Sequence, residues 1–403
     1  MNEYDIIIIG AGISGLSLAH YCTSQGLNTL VLEKSDRVGG ALHTFTINKN
    51  SKNEFWIELG AHTLYNSYTR LFSLLEILGL HQSIIKREKP PYSVLYKGNI
   101  QSIFRYLHYI ELALSIPKLF YIKKADHSVE SYLARILGMK NYTNLMNHFV
   151  NAMWSQESGD FPAELLFKKR KRRKDLFRSF SLEKGIQSIT DALLKKKSLT
   201  TLTKTFIEKI VMKNKQWCVK TAENNLYKCQ YLALATPAHE TISLLKSCNS
   251  EIARELSNIK VSNIDSIGVI IDKNRSPVKS VAGIIPLDDD SFFSAVSKDT
   301  IPHPEYRGFT FHFKQNKITY KEKLQKINKI LQVQNNDLIH VVERKNIMPT
   351  LKKGHSTLIK KIDSMLSKIP ILITGNYFNG LAIEDCVLRS YNEWYRIFHS
   401  KYD

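Results

Sequence analysis

The sequence predicts an α/β protein, and two stretches at opposite ends of the chain carry this prediction. Near the start, the apolar run Tyr4–Ile9 is followed by a helical pattern over Leu16–Gln25 and a second β-rich run over Leu27–Glu33. Near the end, the apolar run Ile369–Thr374 precedes a helical pattern that begins at about Glu384. Continuous apolar runs are typical of parallel strands that are covered on both faces. We therefore expect one parallel sheet built from both ends of the chain.

A glycine-rich turn joins the first strand to the first helix. Gly10, Gly12 and Gly15 form a GxGxxG pattern, and Glu33 stands at the end of the next strand. Such a turn lets the backbone approach a pyrophosphate and lets the helix pack closely, while the acidic residue accepts hydrogen bonds from ribose hydroxyls. The amino end of the helix presents the positive end of its dipole to the phosphates. The motif predicts a Rossmann-type dinucleotide-binding domain.

The segments between the two ends predict a second region of mixed helix and sheet. In chain order, the patterns indicate a helix over 68–80, a hairpin over 92–100, a mostly helical stretch over 101–166, a helix over 183–196, short strands over 199–235, antiparallel strands over 261–313 and a helix over 320–334. We expect a discontinuous dinucleotide-binding domain and an inserted, mixed α+β substrate-binding domain. The first comprises residues 1–85, 180–250 and 350–403, and the second comprises residues 86–179 and 251–349.

Composition restricts the classes of function. The 403 residues carry 57 Lys plus Arg against 37 Asp plus Glu, a formal net charge of +20, and the lysines are spread along the whole chain. The five cysteines show no CxxC pair and no Cys/His ligand spacing, so we expect a reducing compartment and no metal site. No apolar run reaches membrane-spanning length. The expected location is the cytoplasm, although Phe104–Ile122 is apolar enough to lie on a membrane surface without crossing it.

The residues after Glu33 refine the expected cofactor. Arg37, Gly39 and Gly40 complete an ExxxRxGG string, which NAD-dependent dehydrogenases do not usually carry. The arginine is able to pair with phosphate, and the two glycines let a loop run close to a pyrophosphate. The string resembles the extended FAD fingerprint of the flavin amine oxidase and protoporphyrinogen oxidase superfamily. The resemblance implies FAD, bound non-covalently, as the cofactor.

Two further motifs extend this resemblance. Residues 58–62, which read ELGAH, resemble the DxGP-like turn that lies beside the flavin in the superfamily, with Glu58 for Asp and Ala61 for Pro. Residues 374–386, which read TGNYFNGLAIEDC, resemble the GNxxxGVAVxDC-like string of protoporphyrinogen oxidases closely. At this string, the resemblance implies backbone contacts to the flavin, and the amides of the following helix are suited to stabilise negative charge on the reduced ring.

Together, the motifs and the resemblance imply one set of cofactor-binding residues. This set comprises Gly10, Gly12, Ile13, Ser14, Gly15, Glu33, Lys34, Arg37, Gly39, Gly40, Ala41, Gly60, Ala61, His62, Ile207, Gly375, Leu381, Ala382 and Ile383. No catalytic residue is assigned by spacing, and the candidates are His62 and Tyr92. In flavin enzymes the protein mainly orients the substrate and tunes the ring, so no catalytic triad is required.

The middle of the chain matches the protoporphyrinogen oxidases more diffusely, and three departures limit what the match implies. The region between Leu165 and Phe180 is shorter than in the family, and the DxGP-like turn is altered. In addition, Tyr92 stands where some members have an arginine that holds a porphyrin propionate. The expected alternative partners for a substrate carboxylate are Arg87, Arg105 and Arg178.

A basic block, Lys168–Lys174, reads KKRKRRK. An anionic lipid and an anionic substrate are the two functional partners that it suggests, and its composition also permits a nuclear localisation signal. The alternative is a solvated loop that replaces a lost insertion. Nucleic-acid binding is not expected, because the sequence has no fold signature for it.

The resemblance implies an FAD-dependent oxidoreductase that transfers a hydride from a small-molecule substrate to flavin N5 and is reoxidised by oxygen or another acceptor. A porphyrinogen is the leading expected substrate. One alternative is an oxidase or desaturase that acts on an amine, a lipid or a natural-product intermediate. A second is a redox-neutral flavoenzyme similar to UDP-galactopyranose mutase, whose GPH turn is partly similar to residues 60–62. A third is a flavin-bearing scaffold protein, and the oligomeric state stays open.

Overall fold

The computed structural model describes residues 2–399 and contains two large sheets, two small sheets and the helices around them. Within this range the strands are β1 (Asn2–Ile9), β2 (Thr29–Leu32), β3 (Thr44–Ile47), β4 (Phe55–Glu58), β5 (Leu64–Tyr65), β6 (Ile84–Lys86), β7 (Tyr92–Tyr96), β8 (Asn99–Ser102), β9 (Ser179–Leu182), β10 (Leu199–Leu202), β11 (Ile207–Lys213), β12 (Gln216–Thr221), β13 (Leu226–Leu234), β14 (Lys260–Asp272), β15 (Gly283–Pro286), β16 (Phe292–Ser297), β17 (Tyr306–Lys314), β18 (Leu338–Thr350) and β19 (Ile371–Ile373).

The α-helices of the same range are α1 (Ile13–Ser24), α2 (Thr69–Ile77), α3 (Tyr109–Ser115), α4 (Val129–Leu137), α5 (Met139–Asn141), α6 (Asn147–Trp154), α7 (Ser188–Leu193), α8 (Ala238–Leu245), α9 (Ser250–Leu256), α10 (Tyr320–Leu331), α11 (His355–Leu366) and α12 (Ile383–Phe398). Short 3-10 turns lie at Leu80–Ser83, Ile103–Tyr106, Ile116–Phe120, Ala163–Leu165, Lys298–Thr300 and Asn335–Asp337, and a π-helical turn lies at Tyr142–Met146.

The first large sheet has the strand order β10-β2-β1-β13-β12-β11, with β19 also paired to β13. Strands β10, β2, β1, β13 and β19 run parallel, and β12 and β11 extend the sheet as an antiparallel hairpin. In β1, Ile7 packs into one apolar cluster, while Ile6 and Ile8 pack into another. All three are fully buried, because alternate side chains of a strand point to opposite, covered faces. The predicted sheet from both ends of the chain is confirmed.

The second large sheet has the order β18-β14-β17-β16-β15-β7-β8. Its pairs are antiparallel except for β15 and β7. Phe309, Phe311 and Phe313 of β17 are buried and share an apolar cluster with Ile327 and Leu331 of α10. The antiparallel strands that the alternating pattern predicts over 261–313 are therefore present, and α10 covers their apolar face.

Strand β4 packs across the second sheet at two glycines. A Cβ atom at Gly268 would lie 2.5 Å from Ile57 Cδ1, and one at Gly308 would lie 2.3 Å from Ile57 Cγ2. Both distances are well inside van der Waals contact, so any side chain there would push β4 away. This close approach brings the turn that follows β4 against the second sheet, where Asn346 Nδ2 donates a hydrogen bond to the carbonyl oxygen of Leu59 (2.8 Å).

Several predicted segments are confirmed and one is corrected. The hairpin over 92–100, the helical character of 101–166 and the closing helix all appear in the structure. The helix predicted over 183–196 is wrong in its first part, since α7 begins only at Ser188. Before it, the chain turns at Gly185, which has φ of 80°, and Trp56 Nε1 donates a hydrogen bond to the carbonyl oxygen of Glu183 (2.7 Å). These contacts hold the segment in a turn.

The two expected domain ranges stay predictions, and Met1 and residues 400–403 of those ranges lie outside the described residues. Across residues 2–399, no helix combines the length and the apolar character needed to cross a bilayer. The same residues contain no cluster of three or more His, Cys, Asp or Glu side chains that could hold a metal ion.

The C-terminal helix α12 caps the amino end of α2. The buried carboxylate of Glu384 accepts hydrogen bonds from the backbone N–H groups of Arg70 (3.0 Å) and Leu71 (2.9 Å). Both amides lie in the first turn of α2, where backbone donors have no partner within the helix. The negative charge also meets the positive end of the helix dipole. One side chain of α12 thereby holds α2 in place.

We predict that Glu384→Gln lowers the free energy of unfolding by about 1–3 kcal/mol, because the amide loses the charge and turns a donor toward the two N–H groups. Urea-induced unfolding followed by circular dichroism measures the change. Glu251→Gln is the matched control, since Glu251 is exposed in the first turn of α9. If both variants unfold with the same midpoint as the parent protein, the carboxylate of Glu384 does not hold α2.

Candidate functional site

The carboxyl ends of the parallel strands meet at one edge of the first sheet. The N–H of Gly10 donates to the carbonyl oxygen of Leu32 (2.8 Å), and the N–H of Thr374 donates to that of Leu234 (3.0 Å). The glycine-rich turn after β1 and the string after β19, which are far apart in sequence, therefore lie at the same edge of the sheet, with the end of β13 between them. In parallel α/β sheets, ligands bind in the crevice outside this edge.

Two helices begin at this edge. Ser390 Oγ of α12 donates to the carbonyl oxygen of Ser14 in α1 (2.8 Å), and it also lies 2.9 Å from Thr374 Oγ1. Gly375 and residues 381–383 follow β19 into the start of α12, as the sequence predicts. Among residues 2–399, no side chain caps the amino end of α1. Its first-turn N–H groups therefore remain available for an anion in the crevice.

Two glycine loops lie against each other in front of α1. The N–H of Gly39 donates to the carbonyl oxygen of Ala11 (2.8 Å), and Gly12 and Gly39 form a bridge. Gly12 and Gly15 of the GxGxxG turn differ in their surroundings. A Cβ atom at Gly12 would find nothing closer than Gly40 Cα at 3.9 Å, whereas one at Gly15 would lie 1.9 Å from the carbonyl oxygen of Gly10. Gly12 thus borders open space, and Gly15 sits at a tight contact.

Glu33 lies at the end of β2 and faces the glycine-rich turn. Its Oε2 accepts a hydrogen bond from the N–H of Ala11 (2.8 Å), and its Oε1 accepts one from the N–H of Ser35 (2.9 Å). The N–H of Thr205 donates to the carbonyl oxygen of Glu33 (2.9 Å), which brings the start of β11 at Ile207 toward the same edge. A carboxylate so held is suited to accept ribose hydroxyls with its remaining lone pairs.

Lys34, the next residue, points elsewhere. It is exposed and forms an ion pair with Glu240. Only its backbone is therefore adjacent to the crevice edge, through Glu33. Its place in the expected binding set stays a prediction.

The side chain of Arg37 is hydrogen-bonded to other residues of the protein. Its guanidinium donates to the carbonyl oxygens of Gly40 (3.0 Å) and Leu42 (2.6 Å) and to Gln187 Oε1 (3.1 Å). The sequence suggests a phosphate partner, but these bonds use the guanidinium to shape the second glycine loop. Gln187 supports the same loop, because its Oε1 also accepts the N–H of Thr44 (3.1 Å).

Arg344, on strand β18 of the second sheet, supplies another cation beside Arg37. Burial, and then the positive charge of Arg344, lower the pKa of Arg37 to about 10. Among residues 2–399, neither the buried Nε of Arg344 nor the buried Nδ1 of His43 has a hydrogen-bond partner. A bound anion stabilises cations that lie close together, and it gives buried polar atoms without a partner a group to bind. The site therefore fits a pyrophosphate next to the glycine loops.

The opposite wall of the crevice is the turn at residues 59–62. The N–H of Ala61 donates to the carbonyl oxygen of Ala41 (3.2 Å), which joins this turn to the second glycine loop. A Cβ atom at Gly60 would lie 2.1 Å from the same oxygen, so a glycine is required there. On the other side of the turn, Arg87 Nη1 donates to the carbonyl oxygen of His62 (2.6 Å).

The titratable groups of this wall are shifted toward their neutral forms. Burial, and then the charge of Arg87, lower the pKa of His62 to about 3, so its imidazole is neutral at pH 7. Burial raises the pKa of Glu58 to about 7, although its carboxylate accepts hydrogen bonds from the N–H of Ile186 (2.7 Å) and from Thr44 Oγ1 (2.8 Å). Glu58 therefore holds neighbouring segments together, whereas Nδ1 of His62 lies 3.4 Å from the carbonyl oxygen of Gly60 within the turn itself. The expected roles of His62 in catalysis and cofactor binding stay predictions.

The second sheet contributes polar groups that the sequence analysis missed. Asn346 Nδ2 donates to Ser266 Oγ (2.8 Å), which lies 2.9 Å from Nδ1 of the buried His312. The hydrogen bond from Asn346 to the carbonyl oxygen of Leu59 (2.8 Å) places these hydrogen-bonded side chains beside the crevice turn. Ser266, His312 and Asn346 lie on three different strands, so no local sequence pattern could have joined them. Arg344 begins the string RKNIMPTLKKGH over residues 344–355, which resembles the RWxxAIPQYxxGH string of protoporphyrinogen oxidases, and this string was the one available signal.

The structure places Tyr92 and the three arginines that are expected to bind a substrate carboxylate, Arg87, Arg105 and Arg178. Tyr92 is half exposed, and its interactions with Arg87 and Tyr65 place these three side chains together. Arg178 also lies near Tyr65. Arg105 lies in the 3-10 turn after β8 and, like Arg178, is exposed. Arg87 and Arg178 both interact with Tyr65, and the role of all three arginines toward a substrate carboxylate stays a prediction.

The basic block is only partly a solvated loop. Lys168 Nζ and Arg170 Nη2 lie 3.2 Å and 2.7 Å from Asp385 Oδ1, in the first turn of α12. Arg173 pairs with Glu76 (2.9 Å) and Asp175. Four other members of the block are exposed, namely Lys169, Lys171, Arg172 and Lys174.

Comparisons with known proteins agree with this geometry. Residues 8–78 match the NAD(P)-binding Rossmann-like domain family. The chain is 38% identical over 88 residues to a flavin-containing amine oxidase of Danio rerio, a match that covers 22% of this chain and 16% of that protein. A proposed protoporphyrinogen oxidase from Exiguobacterium sp. 255-15 has a similar structure, with a TM-score of 0.78 and 18% identity over 98% of each chain. A CLA-producing fatty acid isomerase from P. acnes matches with a TM-score of 0.74 and 15% identity, over 98% of this chain and 99% of that one.

The protein therefore has the fold of the flavin amine oxidase and protoporphyrinogen oxidase superfamily, and the resemblance that its motifs predict is confirmed. The structural likeness extends over nearly the whole chain. The sequence relationship to the amine oxidase, by contrast, spans only 16% of that relative's length.

We predict opposite outcomes for two alanine substitutions in the glycine-rich turn. Gly12→Ala keeps the thermal stability of the cofactor-free protein but weakens binding of FAD, the expected dinucleotide, by about tenfold or more, because the methyl group fills the space open to a pyrophosphate. Gly15→Ala lowers the unfolding free energy of the cofactor-free protein by about 1–3 kcal/mol through overpacking against Gly10. Thermal unfolding and flavin-fluorescence titration measure the two effects. Equal losses of stability in both variants would contradict this assignment.

Proposed function

We propose that the chain binds FAD non-covalently in the crevice at the carboxyl edge of the first sheet and acts as an FAD-dependent oxidoreductase. One observation carries the proposal: the GxGxxG turn, Glu33 and the start of α12 converge on this edge, although they come from opposite ends of the chain. Each of these suits a different part of a long dinucleotide. A ligand that spans all of them has adenosine at Glu33 and its other end near α12.

The residues present fit such a cofactor chemically. Glu33 offers acceptors for ribose hydroxyls, and Gly12 leaves space for a pyrophosphate. The unpartnered Nε of Arg344 and Nδ1 of His43 offer polar contacts for an anion. Near α12, the helix amides and dipole favour negative charge on a reduced isoalloxazine ring. FAD supplies the redox chemistry, since its N5 atom accepts a hydride from the substrate.

The substrate side of the crevice is formed by the turn at His62 and by the group around Arg87. The neutral imidazole of His62 adds no positive charge to it. Arg87, whose side chain is anchored on the carbonyl oxygen of His62, is the fixed cation of this wall. Tyr65 and Tyr92 offer aromatic surface with hydroxyl groups beside it. A large, mainly apolar substrate that carries a carboxylate fits this combination, and a porphyrinogen is therefore our leading substrate class.

We predict that the purified protein is yellow and releases unmodified FAD on denaturation. Glu33→Ala should raise the dissociation constant of FAD about tenfold or more, because charge-assisted hydrogen bonds to ribose contribute roughly 1.5–3 kcal/mol. Asp36→Ala is the matched control, since Asp36 is an exposed carboxylate on the same loop. Chromatography of the released cofactor and flavin-fluorescence titration are the measurements. Recovery of NAD instead of FAD, or equal affinity in both variants, would refute the proposed cofactor site.

A second prediction concerns the substrate. Anaerobic mixing with a porphyrinogen should bleach the flavin absorbance, and Arg87→Gln should raise KM for it about tenfold with a smaller change in kcat, because a carboxylate loses its cationic partner. Arg105→Gln, which changes an exposed arginine outside the group, should behave like the parent protein.

The same assay distinguishes the alternatives. Bleaching by a diamine or an unsaturated fatty acid, with none by porphyrinogens, assigns the enzyme to another oxidase class. Conversion of a substrate without bleaching and without an electron acceptor assigns it to a redox-neutral class. Equal KM in the parent protein and Arg87→Gln would remove Arg87 from the substrate site.

A further inference from the structure

The stretch of residues 104–121 exposes a dense set of apolar side chains. Of the 22 large apolar side chains that are exposed among the residues the structure describes, eight fall within this stretch. Ile110 and Leu114 of α3 are each 73% exposed, and Phe120 and Tyr121 are 83% and 82% exposed. Folded proteins rarely leave such a contiguous set in water, because burial of each side chain would be favourable. We call residues 104–121 the docking segment.

Helix α3 within the docking segment turns its polar side inward. Ser115 is only 2% exposed. Glu111 accepts hydrogen bonds from the backbone N–H groups of Lys140 (3.2 Å) and Asn141 (3.2 Å), which fixes the helix on α5. Ile110 and Leu114, one turn apart, therefore point away from the protein. A helix on the surface of a water-soluble domain normally has the reverse orientation, with its apolar stripe on the core.

The border of the docking segment is positively charged. Lys118 lies within it, and Lys123 follows directly after it; both are exposed. Lys124 Nζ donates to the carbonyl oxygen of Leu166 (2.6 Å). Lys124 Nζ also donates to the carbonyl oxygen of Phe167 (3.5 Å), two residues before Lys169, so the first exposed member of the basic block lies beside the segment. The only acidic residue within the segment, Glu111, is the one turned inward.

We propose that the docking segment binds the surface of an anionic phospholipid bilayer, with its outward apolar side chains in the boundary between headgroups and acyl chains and with Lys118, Lys123 and Lys169 on anionic headgroups. A bilayer offers an apolar interior and a negative surface together, which is the combination this segment presents. A second copy of the chain would place two positive borders against each other. This inference is independent of the proposed cofactor and substrate.

Vesicle co-sedimentation tests the proposal. We expect the parent protein to bind vesicles of equimolar phosphatidylglycerol and phosphatidylcholine and to bind pure phosphatidylcholine vesicles more weakly. The apolar variant I110S/L114S/F120S should lose affinity about tenfold or more at every salt concentration, because it removes the inserted groups. The charge variant K118Q/K123Q/K169Q should lose affinity for anionic vesicles at low salt and differ little from the parent protein at high salt.

The matched control is F206S/M212S/I339S, which removes three exposed apolar side chains outside the docking segment. It should bind vesicles as the parent protein does. Circular dichroism and thermal unfolding of all variants establish that they are folded. Absence of binding by the parent protein, or unchanged binding by the apolar variant, overturns the proposal. The proposal is also overturned if sedimentation velocity without lipid shows that the parent protein is a dimer and the apolar variant is a monomer. In that case a second copy of the chain covers the docking segment.

Discussion

The arrangement of the crevice depends on the C-terminal helix α12, whose buried polar side chains each hold a different part of the chain. Glu384 caps α2, Asp385 binds the start of the basic block, and Ser390 bonds to the carbonyl oxygen of Ser14. Glu393 accepts the N–H of Ile373 in β19 (3.1 Å). Burying a carboxylate is costly unless it is paired and hydrogen-bonded, so these groups specify one position of the helix relative to the sheet.

This constraint also changes the meaning of the basic block. Lys168 and Arg170 are not surplus charge, because they neutralise Asp385 directly beside the start of α12. Their removal would leave a buried carboxylate without its cations, next to the turn that we propose for the flavin end. Lys169, between them in sequence, faces outward and is available to the docking segment. Within the first three residues of the basic block, Lys168 and Arg170 therefore bind a buried carboxylate, whereas Lys169 lies on the surface.

The crevice turn is joined to the second sheet by close packing and by a hydrogen bond. Gly268 and Gly308 let β4 cross the second sheet closely, and Asn346 then bonds to the turn that follows β4. These contacts bring the polar groups of the second sheet toward the carboxyl edge of the first. The carboxyl edge of the first sheet, where we propose that the cofactor binds, thus lies close to polar groups of the second sheet.

The sequence by itself determined the local parts of this protein, and the tertiary structure decided which partners they meet. The strand, glycine turn and helix around Gly12, and the acidic end of β2 at Glu33, could be predicted because neighbouring residues set their conformation. The partners of Arg37 could not be predicted, since Gln187 and Arg344 reach it from distant segments. The sequence likewise shows that Phe104–Ile122 is rich in apolar residues, but only the packing of Glu111 on α5 decides that Ile110 and Leu114 point outward. Contacts between residues far apart in the chain depend on the assembled fold, and no local pattern carries them.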